Sequence, residues 1–148
     1  MISSTTARPD LSRFGPIGLV VVQSTSLCNL DCSYCYLPDR QKKRVFDLDL
    51  LPLLVRRILE SPYAGPEFSP VWHAGEPLTL PTAWYDQDTA ILQRSLKEHG
   101  ADGLEFTQHV QTNATLINDA WCDCFRRNRI VVGISVDGPE DIDDAHRC

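Results

Sequence analysis

Four β-branched or apolar runs, separated by stripes of helical period, constrain this chain more than any other feature. Ile17 to Gln23 and Ile130 to Val136 are near-continuous apolar runs, the pattern of buried parallel strands. Val71 and Trp72 read as a shorter strand end. Glu105 to Thr112 alternates, with Phe106, Gln108 and Val110 on one face. Leu51, Leu54, Val55, Ile58 and Leu59 form a first helical stripe, with Asp47 or Asp49 as N-cap and Pro52 near its start. Trp84, Ile91, Leu92 and Leu96 form a second, ended by Gly100. A third helix, capped by Asn118, is expected to bury Trp121, Cys122 and Phe125. It ends among Arg126, Arg127 and Arg129, where cations suit the helix dipole. Strands and helices in strict alternation imply right-handed βαβ units, hence an α/β fold whose parallel sheet curls as in a barrel. Four strands do not close such a barrel. The expectation is a partial (β/α) barrel truncated after its fourth strand, with a further helix due only at the chain end. Residues 15–148 form this unit, and residues 1–14 read as a flexible tail.

Composition narrows the classes. The chain has 148 residues and 43% hydrophobic content, enough for a single core. A net charge of −6 without a basic stripe argues against a nucleic-acid partner. The longest apolar run, Ile17 to Val22, is far too short to span a membrane. The N-terminal segment lacks the apolar stretch of a signal peptide, so the six cysteines are expected as reduced thiols of a cytoplasmic protein.

Three of those thiols stand together in Cys28-Asn29-Leu30-Asp31-Cys32-Ser33-Tyr34-Cys35, directly after the first strand. Three thiolates on one tight loop can hold three irons of a cubane cluster and leave the fourth iron open to a small ligand. A structural zinc or a purely electron-carrying cluster wants four closed ligands. In parallel (β/α) architectures chemistry gathers at the C-terminal strand ends, and the remaining motifs obey that rule. His73-Ala74-Gly75-Glu76-Pro77 follows the second strand. Gln111-Thr112-Asn113 ends the third, and Ser135-Val136-Asp137-Gly138-Pro139 ends the fourth. Cys122 and Cys124 are different. Two apart on a helix, they point about 200° away from each other and cannot chelate one ion, so one is a core thiol and one a surface thiol.

These four motifs in order resemble the radical S-adenosylmethionine (SAM) enzymes, in particular the peptide-modifying branch with a C-terminal SPASM extension, alongside anaerobic sulfatase maturases. Trp72-His73-Ala74-Gly75-Glu76-Pro77-Leu78 and Tyr36-Leu37-Pro38-Asp39-Arg40 look like the cyclophane-forming maturases of glycine-rich-repeat peptides. The resemblance covers roughly Phe14 to Arg147 and implies an oxidoreductase-type chemistry. Cys28, Cys32 and Cys35 would ligate a [4Fe–4S] cluster, and SAM would chelate its open iron. One-electron cleavage would give a 5′-deoxyadenosyl radical that takes hydrogen from a precursor peptide and leads to a side-chain crosslink. Tyr34 would pack on the adenine, Gly75 and Glu76 would receive the SAM ammonium, and Ser135 would bond the ribose or carboxylate. Asn113, with Gln111, would serve SAM, the peptide or the core. Arg147 resembles a carboxylate-binding arginine, although Asp143 stands where the family would have histidine, and Ala74 replaces the usual first glycine of its motif. An external donor of flavodoxin or ferredoxin type would feed the cluster. No acid or base for the final step can be named. Two rivals stay open: a non-catalytic iron–sulfur or zinc module, and an inactive remnant of a truncated gene.

Overall fold

The computed structural model describes residues 15–101 and 103–147; the expected tail and Cys148 lie outside the described residues. Strand β1 (Ile17–Val22) leads into the cysteine loop, and helix α1 (Leu51–Leu59) returns to β2 (Ala64–Trp72). Helix α2 (Thr82–Glu98) is followed by β3 (Glu105–Phe106) and β4 (His109–Thr112). Helix α3 (Asp119–Asn128), β5 (Val131–Ile134) and α4 (Glu140–His146) complete the order. The sheet runs β1-β2-β4-β5 with every pair parallel, and β3 adds to the first half of β2. The expected partial (β/α) barrel is the architecture observed.

Local chemistry explains most of the boundaries. Asn118 caps α3 by accepting the Trp121 N–H at 3.1 Å. Gly100, at φ +67°, ends α2 in the left-handed conformation that favours glycine. Asp47 caps not α1 itself but the single 3₁₀ turn before it, accepting the Asp49 N–H at 3.0 Å.

Four expectations need correction. The second strand is far longer than Val71–Trp72, beginning at Ala64. The third is broken into β3 and β4, with Thr107 and Gln108 between them. In α3 the buried thiol is Cys124, and Cys122 is exposed, because residues 121, 124, 125 and 128 share the inward face of a 3.6-residue period. The helix expected only at the chain end already spans Glu140–His146.

The core sits between one face of the sheet and helices α1 to α3. Val22, Phe68, Trp72 and Val110 meet Leu51, Val55, Leu92, Leu96 and Trp121 there. Burying each of the large side chains contributes about 1.5–3 kcal/mol. Trp72, Trp84, Tyr85 and Trp121 form a chain of edge-on ring contacts at 4.9–5.5 Å. Tyr85 carries that chain to the rim, donating its hydroxyl to the Pro77 carbonyl at 3.0 Å. Among the described residues the opposite face of the sheet carries no helix, and Leu19 and Val21 are more than half exposed there. Among the described residues no helix is long and apolar enough to cross a membrane.

Candidate active site

The rim of strand ends is built on backbone packing between the cysteine loop and the turn after β2. Gly75 has φ +67°, and a Cβ there would lie 2.3 Å from the Thr25 carbonyl oxygen and 2.9 Å from that of Leu27. Only glycine lets the two chains approach so closely. Glu76 N–H then donates to Leu27 O at 2.8 Å. On its other side the loop is braced by residues 40–46, where Cys28 N–H donates to Arg40 O at 2.9 Å and Ser26 N–H to Arg44 O at 3.0 Å. Thr25 and Val45 form an antiparallel bridge at its base.

Cys28, Cys32 and Cys35 all line one open cleft. Tyr34, Gly75, Glu76, Gln111, Asn113, Ser135 and Arg147 line the same cleft, whereas Asp137 and Asp143 do not. Burial raises the Cys28 thiol above its usual range, aided by the Glu76 carboxylate and the two neighbouring thiols. Among the described residues no three His, Cys, Asp or Glu converge on a single-ion site. Three sulfurs are in any case one short of the four closed ligands of a structural zinc or a purely electron-carrying cluster.

Hydrogen bonding gives these residues distinct positions. Glu76 is 1% exposed, and both of its carboxylate oxygens accept hydrogen bonds within the chain. Oε1 accepts Thr112 Oγ1 at 2.7 Å and Leu78 N at 2.9 Å, while Oε2 accepts Asn113 N at 2.8 Å. The carbonyls of Ala74 and Gly75 carry no hydrogen bond among the described residues. Asn113 uses its side chain on Asn29 and Thr115. Ser135 Oγ accepts the Gln111 amide at 2.9 Å.

Sequence reasoning missed the grouping on the far side of the cysteine loop. The Tyr34 hydroxyl donates to Asp137 Oδ2, and Arg147 Nη1 bonds both, at 3.2 Å to the phenol and 3.1 Å to the carboxylate. These bonds hold the Asp137 carboxyl below the usual carboxylate range, Tyr34 contributing most. Asp143 accepts the Asp137 N–H at 3.0 Å and stands 3.8 Å from Arg147 Nε. Ser33 N–H donates to the His146 carbonyl at 3.0 Å. Helix α4 thereby braces residues 33 and 34. Tyr34, Asp137, Asp143 and Arg147 were each noted in the sequence, but nothing in their spacing showed that they bond one another.

A second cleft adjoins the first on the bare face of the sheet, walled by Val21, Val71, His73, Gln111 and Ser135. His73, Gln111 and Ser135 belong to both.

Comparison with known proteins agrees with this geometry. An uncharacterised protein of Synechocystis sp. is 45% identical over 93% of this chain and 35% of its own length. The serine-type anaerobic sulfatase-maturating enzyme of Klebsiella aerogenes is 37% identical over 81% of this chain and 29% of its own. The solved structure of native anSMEcpe with bound AdoMet and the Cp18Cys peptide superposes with a TM-score of 0.68 at 28% identity, covering 89% of this chain and 34% of that one. The chain thus spans about a third of the length of the relatives it matches. Residues 22–147, from the last residue of β1 to Arg147, match the sequence profile of the radical SAM superfamily, and the chain belongs to that superfamily.

Proposed function

We propose that this chain supplies the cluster- and SAM-binding part of an enzyme that modifies a ribosomal precursor peptide, joining side chains in a cyclophane-type crosslink. The observation that carries the reading is the convergence of three cysteines, the Ala74–Gly75 turn and the β4 and β5 ends on one cleft. When bound, a [4Fe–4S] cluster and SAM supply one-electron cleavage of the sulfonium and a carbon radical that takes hydrogen from the peptide.

The chain's own residues hold and orient. Cys28, Cys32 and Cys35 each ligate one iron as thiolates. The Ala74 and Gly75 carbonyls are the acceptors left for the SAM ammonium, since the Glu76 carboxylate is spent on Thr112, Leu78 and Asn113. Glu76 acts by fixing the two strand ends to each other. Tyr34 offers a ring beside the last ligand for the adenine, and Ser135 a hydroxyl for the ribose or carboxylate. Arg147, its side chain 10% exposed, brings a guanidinium to the cleft, where a carboxylate is the complementary group. The second cleft, sharing His73, Gln111 and Ser135 with the first, is the approach for the peptide. A flavodoxin- or ferredoxin-type donor supplies the electron. The relatives support a peptide or protein substrate: one matures sulfatases, and another binds AdoMet together with a peptide.

The test is anaerobic reconstitution of the chain with iron and sulfide, followed by SAM and dithionite, with 5′-deoxyadenosine measured by mass spectrometry. Formation above a variant with Cys28, Cys32 and Cys35 changed to Ala is expected. A bound cluster without 5′-deoxyadenosine favours the non-catalytic module.

A further inference from the structure

Asn29 lies one residue past Cys28 and does not line the cleft, yet its amide is tied to the rim of β4 at both ends. Asn29 Nδ2 donates to Thr115 Oγ1 at 2.8 Å, and Asn113 Nδ2 donates to Asn29 Oδ1 at 3.0 Å. The Thr115 hydroxyl in turn donates to Asn113 Oδ1 at 2.7 Å. The three side chains close a ring in which each both donates and accepts, so removing any one opens it at two places. On the rim side the ring is anchored in the core, because Asn113 N–H donates to the buried Glu76 carboxylate at 2.8 Å. On the loop side nothing separates Asn29 from Cys28.

We infer that Asn29, Asn113 and Thr115 form a clamp that positions Cys28 against the strand rim whether or not metal is bound, with Asn29 acting only through Cys28. The inference rests on the reading of Cys28 as a cluster ligand. It also gives the Asn113 amide a task different from binding SAM directly, since both ends of that amide are engaged by the chain.

Asn29 and Thr115 are exposed, so Asn29→Ala and Thr115→Val leave the core intact. The measurement is made on the 148-residue chain in two states. In the metal-free chain, iodoacetamide labelling followed by peptide mass spectrometry gives the relative rates at Cys28, Cys32 and Cys35. In the reconstituted chain, a ferrous chelator gives the rate of iron release. Each single variant is expected to label Cys28 about fivefold faster relative to Cys35, the scale of one or two lost hydrogen bonds. Iron release should accelerate by a similar factor. The double variant should go no further than either single one, because both open the same ring. Unchanged rates, additive effects, or equal acceleration at all three cysteines would each overturn the clamp. A wild-type chain that takes up no iron defeats the cluster reading, and the labelling ratio still decides the clamp.

Discussion

Gln111 lies across Gly133: a Cβ on that glycine would stand 2.3 Å from Gln111 Oε1, and the same amide donates to Ser135 Oγ at 2.9 Å. The two residues are register partners in β4 and β5, and Ser135 is the next position on the same face. The missing side chain at 133 opens the path along which the amide crosses to the neighbouring strand end. Gly133→Ala should push the flexible end of Gln111 aside and break its bond to Ser135. A stability loss of about 1 kcal/mol is expected in urea denaturation. A loss below about 0.3 kcal/mol would mean that the amide finds an equivalent partner elsewhere.

Glu76 tests whether a motif carboxylate serves the fold or the ligand. Three protein donors converge on its two oxygens, and the residue is almost fully buried. Glu76→Gln keeps the shape but turns one acceptor into a donor, leaving at least one buried N–H or hydroxyl without a partner. The expected cost is about 1–3 kcal/mol in the metal-free chain. An undiminished unfolding midpoint, with SAM binding lost, would instead identify Glu76 as a direct ligand.

Ala74 holds φ +71° in a turn where a side chain is sterically unwelcome. Glycine lacks the Cβ that meets the carbonyl in this region, so Ala74→Gly should stabilise the chain by about 1 kcal/mol. The check is thermal unfolding without metal. A lower midpoint would show that the entropy of the added glycine outweighs the relieved strain.

How much of this was legible beforehand depended on whether a feature was local. The strand ends and their motifs could be read because β-branched runs meet Gly, Asn and Pro at fixed points. The first half of β2 could not, since Gly65 and Pro66 are poor strand formers; there the pairing with β1 and β3 overrides composition. Helix α4 was expected but placed too late, because none of its residues is buried and no apolar stripe marks its start. The bonds that occupy Glu76 and Asn113 join residues 36 and 84 positions apart in sequence, and no spacing rule reaches that far. The motifs named residues that line one cleft but did not show which of their polar groups are already bonded within the chain.

Asp88 carries the clearest pH dependence in the chain, and it lies in the core, away from the cleft. It is fully buried in α2, with Gln108 Nε2 donating to Oδ2 at 2.9 Å. Its Oδ1 has no hydrogen-bond partner among the described residues, and the nearby Trp72 indole N–H does not close a regular bond to it. Desolvation dominates and raises the carboxyl to about 8. In the unfolded chain the same group ionises near its ordinary value of about 4. Between those values the folded state keeps a proton that the unfolded state has lost, so stability falls as pH rises. The favourable contribution is complete below about pH 4 and gone above about pH 8. Asp88→Asn cannot ionise. It should match the parent near pH 4 and exceed it by roughly 2–5 kcal/mol at pH 8.5, read from urea denaturation at both pH values. A difference that stays constant with pH would mean that Asp88 is already ionised in the fold, held by water reaching Oδ1.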